Sequence, residues 1–356
     1  MTLNVRMCEQ PDDISCGPAV LQMLAGALLA RDGRGDEGHT SLSIYQLREM
    51  MGTNARTGTT DVEMTRGLRA FGVTFGRAEP EEGARHRMDE MADWLREGNI
   101  AIIRGMRRGY RHWMLATGME GDNFHVADPE SGFGVLNSDE MEAVLAPRGW
   151  ETWLVPASSL CRDLKMEAVG ANPARQECAL DLMTEVLAAR VTEIGPDEIR
   201  ECIAGEADWD LSQGIWDGDN LLGAYVLRDA SIVEAMEMDE MEVPNEVREF
   251  DASLAGQRLC WGVALGVPDA NQGMGLGRLL RTAPGELGFD RSFGFQYKTL
   301  GNLENWQRVR SDTLDIGDCW LTVGRVSPLG PANIAEDSTA HDAEYSAESA
   351  SLPSPH

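Results

Sequence analysis

The chain is poor in basic residues: 31 Lys and Arg stand against 59 Asp and Glu among 356 residues, a formal net charge of −28. Such an imbalance repels nucleic acid and anionic membranes unless a local patch overrides it. The one local concentration, Arg104-Gly-Met-Arg-Arg-Gly-Tyr-Arg111, is short and reads as a hairpin tip that is solvated or touches substrate. No apolar run approaches the ~20 residues of a membrane span, and the opening Met1-Thr-Leu-Asn-Val-Arg-Met-Cys8 has no signal-peptide core. There is no C-x-x-C pair either. The seven cysteines, Cys8, Cys16, Cys161, Cys178, Cys202, Cys260 and Cys319, are odd in number and scattered, which argues against a disulfide framework and a structural zinc site and favours reduced thiols. A cytoplasmic protein without nucleic-acid, membrane or metal partners is the expectation, with the oligomeric state left open.

What is present is soluble-protein material, 42% hydrophobic and 25% charged, with length for two domains and a tail. Near the start, Gln10-Pro-Asp-Asp-Ile-Ser-Cys16-Gly-Pro-Ala19 runs directly into the apolar Val20-Leu-Gln-Met-Leu-Ala-Gly-Ala-Leu-Leu-Ala30. That order sets Cys16 in the first turn of a helix. Unpaired N–H groups and the positive end of the helix dipole favour thiolate over thiol there, and Pro18 suits a first turn that has no use for its missing N–H. A nucleophilic Cys16 is one reading, and a small buried hydrophobe is the other.

Helical spacing continues through Ser41–Met51 with Ser43 as N-cap, through Val62–Phe71 stopped by Gly72, and through Met88–Glu97. From Asn99 the period changes to two. Strands are expected at Asn99–Arg104, Arg111–Gly118, Phe124–Pro129 and Trp150–Val155, with turns at Gly109 and Gly121. A turn centred near Gly121 sets Asp128 opposite Met114 or His112, and the period of two puts Asp128 and His112 on one face, direct or diagonal neighbours within reach of each other. His125 falls on the other face. A thiol at a helix start, a histidine on a strand and an acid holding that histidine compose, in this chain order, a thiol-protease set.

Gln10 six residues before Cys16, the Cys16-Gly-Pro-Ala19 run, and His112 followed sixteen residues on by Asp128-Pro129 resemble the papain-like peptidases that trim double-glycine leaders in bacteriocin exporters, over residues 5 to 155. The resemblance implies helices plus an antiparallel sheet. It further implies attack by Cys16 on a peptide carbonyl, His112 as the base, Asp128 orienting His112, and the Gln10 side-chain amide stabilising the oxyanion. Unlike an exporter, the chain has no membrane segment and no ATP-binding loop, and Arg111 precedes the histidine where glycine is frequent.

The second half starts afresh, with helices at Ala174–Arg190 and Pro196–Ala204 and a buried strand at Leu221–Arg228 after a turn at Trp216–Asn220. The acidic, methionine-bearing Ile232–Asp251 reads as a solvated excursion. Then come a strand at Leu259–Val267, a stop at Pro268 and the glycine turn Gln272-Gly-Met-Gly-Leu-Gly277 before a helix. Glycines there allow a phosphate close to backbone N–H groups, so an acidic protein can hold it without lysines. Arg278 stands where a dinucleotide fingerprint needs its third glycine, and no Gly-Lys-Ser/Thr follows.

Gln272-x-x-Gly275-x-Gly277 after a Val-Pro strand end, the strand Ser292–Lys298 and the segment Asn302–Trp306 resemble the GNAT-type N-acetyltransferases, over residues 171 to 328. This resemblance implies a mixed α/β sheet and acetyl-CoA as cofactor. It places Leu265, Gly266 and Val267 along the pantetheine, the amides of Gln272, Gly273, Met274, Gly275, Leu276, Gly277 and Arg278 at the pyrophosphate, and Asn302 beside the cofactor. The tyrosine expected about one turn beyond the asparagine-bearing helix is replaced near Val309 and Arg310, which leaves Glu246, Glu249 and Asp251 as candidates for the base.

The expected organisation is α+β with two domains: a peptidase-like domain at 1–158, a connection at 159–172, an acetyltransferase-like domain at 173–328 and a disordered acidic tail at 329–356. The expected function is cleavage of a peptide or protein substrate coupled to acetyl-CoA-dependent N-acetylation, since a cut peptide exposes an amine that a transferase could cap. The alternative is a catalytically degenerate peptide-binding or effector protein that holds acetyl-CoA as a ligand.

Overall fold

The computed structural model describes residues 3–34, 40–78, 84–107, 109–145, 151–170, 172–191, 194–297 and 312–330. The chain divides into two compact units, Met1–Lys165 with Gly273–Gly275, and Met166–Gln272 with Leu276–His356. No helix among the described residues is long and apolar enough to cross a membrane.

In the first unit, α1 (Cys16–Arg31) is apolar on every side and is correspondingly buried from Cys16 through Leu29. Each fully buried leucine contributes roughly 1.5–3 kcal/mol, so Leu21, Leu24, Leu28 and Leu29 fix this helix firmly in the interior. Both α2 (Ile44–Met51) and α3 (Asp61–Ala70) begin with reciprocal side-chain caps, Ser43 with Gln46 and Thr60 with Glu63. The remaining elements are β1 (Gly76–Arg77), α4 (Ala84–Arg96), β2 (Ile100–Arg107), β3 (Tyr110–Glu120), β4 (Asn123–Asp128), β5 (Gly132–Asn137), α5 (Ser138–Leu145) and β6 (Glu151–Val155). The strands form one antiparallel sheet in the order β1-β6-β2-β3-β4-β5. Ala101, Ile103, Ala116, Phe124, Val126 and Leu154 on one sheet face pack against Met88, Met91 and Leu95 of α4 and Met141 and Leu145 of α5.

The second unit contains β7 (Leu164–Ala168), α6 (Pro173–Ala188), α7 (Pro196–Glu206), β8 (Gln213–Asp217), β9 (Asn220–Asp229), α8 (Ile232–Met238), α9 (Asn245–Ser253), β10 (Leu259–Gly266), α10 (Leu276–Leu280), α11 (Ala283–Glu286), β11 (Arg291–Tyr297), β12 (Asp312–Ile316) and β13 (Cys319–Arg325). Its sheet runs β12-β13-β11-β10-β9-β8-β7, and β10 and β11 pair in parallel. One core lies between the sheet and α6 and α7, around Met183, Ile199, Ala224 and Val226, and another gathers Ile232, Met236, Val247, Trp261 and Phe293.

Three expectations change here. Residues 159–172, expected as a connection, include β7. The acidic stretch Ile232–Asp251 is not a solvated excursion but forms α8 and the first turns of α9, because Ile232, Ala235 and Met236 recur at helical spacing and bury together behind a capping box of Ser231 and Glu234. Neither β5 nor α5 was anticipated. The expected tail at 329–356 lies outside the described residues from 331 on, as does the segment Asn302–Trp306 with Val309 and Arg310.

Candidate active site

Asp12 builds the approach to α1. Its Oδ1 accepts the Ile14 N–H at 3.1 Å and the Ser15 hydroxyl at 2.6 Å, while Oδ2 pairs with Arg48 at 3.0 Å. Ser15 is the residue before the helix, yet its hydroxyl is spent on Asp12 and caps no helical N–H. Cys16 therefore opens the helix, 5% exposed. Gly17 is required beside it, since a Cβ at that position would lie 2.3 Å from Thr59 Oγ1. The Thr59 carbonyl in turn accepts the Trp113 indole N–H at 2.9 Å, next to His112 on β3.

The hairpin of β3 and β4 brings His112 and Asp128 together. Its two-residue turn, Gly121 and Asp122, pairs Glu120 with Asn123, and this register alone would carry Asp128 opposite Leu115, on the wrong face. A bulge intervenes: Ala116 faces Val126 and Gly118 faces His125, so Thr117 is the extra residue. Continued past Leu115 and Ala127, the shifted register sets Asp128 opposite Met114 and diagonal to His112. The His112 Nε2–H meets Asp128 Oδ1 at 2.7 Å, with the two residues 1% and 0% exposed. Nε2 is thereby occupied, and Cys16 lies near enough to act electrostatically on the same ring.

The electrostatics follow from these contacts. Burial lowers the His112 pKa, but the hydrogen bonds and negative charge of Asp128 and Cys16 outweigh it and push the imidazole up to about 9. Burial likewise opposes ionisation of Asp128, and the His112 bond, the Glu130 N–H at 2.9 Å and the Ser131 hydroxyl at 2.8 Å nevertheless hold its carboxyl far below the usual range. Arg107 also pairs with Asp128 Oδ2. Ligand atoms of His112, Asp128 and Glu130 lie within 4.8 Å of one another. Asp128 already takes four donors and Glu130 accepts the Tyr110 hydroxyl at 2.5 Å, so the cluster is a closed hydrogen-bond network and not an open cation cage.

Gln10 stands alongside this network. Its N–H donates to the Pro129 carbonyl at 3.1 Å, and its buried side-chain Oε1 has no partner among the described residues. His125 sits half-buried, 3.8 Å from Glu120. The basic cluster differs from the expected solvated tip. Arg104 is buried, 2.8 Å from Glu151 and stacked over Trp113 at 5.3 Å, and Arg107 reaches Asp128. Sequence reading missed Arg107, Tyr110 and Ser131. Only Ser131 left a trace, as a hydroxyl three residues after an Asp-Pro, where Asx-type turns close.

In the second unit, β10 and β11 pair only from Leu259 with Arg291 to Trp261 with Phe293, although β10 runs on to Gly266 and β11 to Tyr297. On its other side β10 stays paired, Leu265 with Tyr225 and Gly266 with Ala224, after a bulge at Val263. Beyond Val267 the chain makes a short turn at Asp269–Asn271, then runs through Gly273–Gly275, which group with the first unit and in which Gly273 and Gly275 take φ of 73° and 77°, before α10 starts at Leu276. Gln272 bonds Asp269 through its side chain. Met274, Gly277 and Arg278 fall in this loop and helix start, and Asn302 lies outside the described residues. Of the proposed bases, Asp251 accepts the Ile232 N–H at 2.9 Å as a helix cap, and Glu246 and Glu249 are exposed on α9.

No protein-family model matches the sequence, and no curated protein matches it. Among solved structures, the chain is similar to the peptidase domain of Streptococcus ComA, a bi-functional ABC transporter involved in a quorum sensing pathway, at 19% identity over 43% of this chain and 99% of that one, with a TM-score of 0.32. It is similar to a double glycine motif protease from an AMS/PCAT transporter in complex with the leader peptide, at 19% identity over 44% and 94% of the two chains, TM-score 0.31. It is also similar to an N-acetyltransferase from Staphylococcus aureus Mu50, at 10% identity over 46% and 100%, TM-score 0.31.

Proposed function

We propose that the first unit is a papain-like cysteine peptidase acting on a peptide after a double-glycine-type site, and that the second is an acetyl-CoA-dependent N-acetyltransferase. The observation that carries the peptidase reading is the buried 2.7 Å contact of His112 with Asp128, with Cys16 near enough to act electrostatically on the same ring. In this reading the Cys16 sulfur forms a bond to the substrate carbonyl carbon as the C=O electron pair moves to oxygen. The His112 imidazolium gives its proton to the departing amine as the C–N bond breaks. Water then attacks the thioester, His112 takes the water proton, and the C–S bond breaks to restore the thiolate and release the acid. Asp128 keeps the ring oriented throughout.

The unpartnered Gln10 amide beside Pro129 supports an oxyanion role, because amide rotation can turn Nε2 toward the developing charge. One such donor lowers the barrier by ~3 kcal/mol. In the second unit, the parting of β10 from β11 opens the β11-facing edge of β10 near Leu265 and Gly266 for a pantetheine arm, while the edge toward β9 stays paired, and the glycine turn to Gly277 suits a pyrophosphate. Bound acetyl-CoA would supply an activated acetyl thioester. Leu265, Gly266 and Val267 would orient it, and the amides from Gln272 to Arg278 would hold its phosphates.

The test is incubation of the full chain with a double-glycine-containing peptide and acetyl-CoA, read by mass spectrometry, with Cys16→Ala as control. Cleavage that Cys16→Ala abolishes, with a 42 Da gain (one acetyl group) on the released amine, is the expected result. The absence of both cleavage and mass gain would overturn the reading.

A further inference from the structure

We propose that Arg107 is a positioning residue of the Cys16, His112 and Asp128 site, holding the buried carboxylate in line with the imidazole and setting the pH range over which His112 stays protonated. The inference deepens the peptidase reading and rests on it.

Three observations carry it. Asp128 is fully buried, and of its four donors Arg107 alone brings a permanent charge. In the ion-pair form that the peptidase reading requires, a thiolate, an imidazolium and a carboxylate leave one uncompensated negative charge in an interior site, the costly condition for buried ions. The Arg107 guanidinium brings the count to zero. The same guanidinium lies 3.6 Å from the sulfur of Met114, the residue that the bulged register sets opposite Asp128, so its path along β3 is packed.

The third observation is the hairpin that delivers it. Arg107 and Tyr110 form one rung between β2 and β3. Tyr110 donates its hydroxyl to Glu130, whose N–H holds Asp128, and sets its ring edge-on to His112 with centroids 6.0 Å apart. Both arms of the hairpin therefore clasp the Asp128–Glu130 turn. The charged and titratable groups that the described contacts bring to the pair are Cys16 from α1, Arg107 from β2, Tyr110 from β3 and Glu130 from the turn after β4. Arg107 is the only permanent cation among them, and it opposes protonation of His112 both by its own charge and by sharing the carboxylate.

The experiment compares the full chain with Arg107→Gln, Arg107→Met and Arg107→Lys. Cys16 alkylation by iodoacetamide is followed from pH 5 to 10 by peptide mapping, which separates it from the exposed Cys178 and Cys202, and the His112 ring is titrated by NMR. In both neutral variants the alkaline limb and the His112 midpoint are expected to rise by about half a pH unit or more, and Arg107→Lys to restore most of the difference. Peptide cleavage should lose kcat several-fold with KM little changed. Two neutral variants guard against one that fails to fold. Superimposable limbs and midpoints in folded variants would overturn the proposal. If Cys16 of the unmodified chain has no alkylation window, the peptidase reading falls instead, and the His112 midpoint still decides whether Arg107 acts on the ring.

Discussion

Thr117 has no residue opposite it on β4, and its bulge is what places Asp128 across from Met114 instead of Leu115. The side-chain period of two makes this decisive, because a slip of one residue moves a whole strand to the other face. Yet the bulge needs Thr117 only because Thr117 is there. With it deleted, Gly118 can keep facing His125 and Ala116 can keep facing Val126, and the ladder closes with Asp128 still diagonal to His112. Deletion of Thr117 is therefore expected to preserve Cys16 alkylation and cleavage within about tenfold, a loss of local twist only. Inactivation as complete as that of Cys16→Ala would show that the bulge itself shapes the site.

A second expectation concerns pH. His112 is raised from 6.5 to about 9 by partners that exist only in the folded chain. A basic group with a raised folded pKa adds stability that is fully present below the unfolded value and lost as pH climbs through the folded one. The stability of the first unit should thus fall between pH 6.5 and 9, by at most ~3 kcal/mol. Asp128 works from the other end: its lowered pKa adds stability above the normal carboxylate range that disappears on acidification. Thermal melts across pH 5 to 10 check both limbs. His112→Ala should flatten the alkaline slope, and Asp128→Asn should flatten the acid one while leaving the half-buried Arg107 against a neutral amide.

How far the site was legible depends on its kind of contact. Cys16 could be read from a helix start, and His112 and Asp128 from strand parity, because both are periodic properties of the chain. The parity worked through a cancellation: a turn assumed at Gly121 gives the same register as the observed Gly121–Asp122 turn plus a bulge at Thr117. A bulge has no composition of its own, so the pattern could not show it. Arg107 escaped for another reason. Its partner lies across the sheet and 21 residues away, and a basic run looks solvated until one knows which carboxylate it faces. The stretch Ile232–Asp251 failed by excess weight on charge, when Ile232, Ala235 and Met236 already marked an apolar helix face.

Away from both candidate sites, Glu206 at the end of α7 and Asp239 at the end of α8 face each other half-buried, and burial together with the Asp239 hydrogen bond and charge push the Glu206 carboxyl well above its usual range. Burial raises Asp239 as well. The sign is the reverse of an ordinary surface acid: the pair favours the fold while it holds a proton, and that contribution disappears as pH rises through the raised pKa. Glu206→Gln should therefore raise the melting temperature of the chain above pH 8 and change it little near pH 5. A Gln variant that melts lower at pH 9 would mean that the two carboxylates are separated by water and do not share a proton.

Gly277 offers the cleanest trial of the acetyl-CoA reading. A Cβ there would meet only Leu265 and Val267 side chains at 3.8 Å, ordinary contact distance, and no positive φ demands glycine. Gly277→Ala should accordingly fold and bind acetyl-CoA close to the level of the unmodified chain. Gly277→Glu adds the same Cβ without strain but extends a carboxylate from the turn of α10, where a pyrophosphate would have to lie. Like charges a few ångströms apart, partly shielded from water, oppose each other by about 1–4 kcal/mol, so binding measured by calorimetry at low salt should weaken tenfold or more. Raising the salt should recover part of that loss by screening. Equal affinities for the alanine and glutamate variants would put the phosphates elsewhere and remove the glycine turn from the proposed cofactor site.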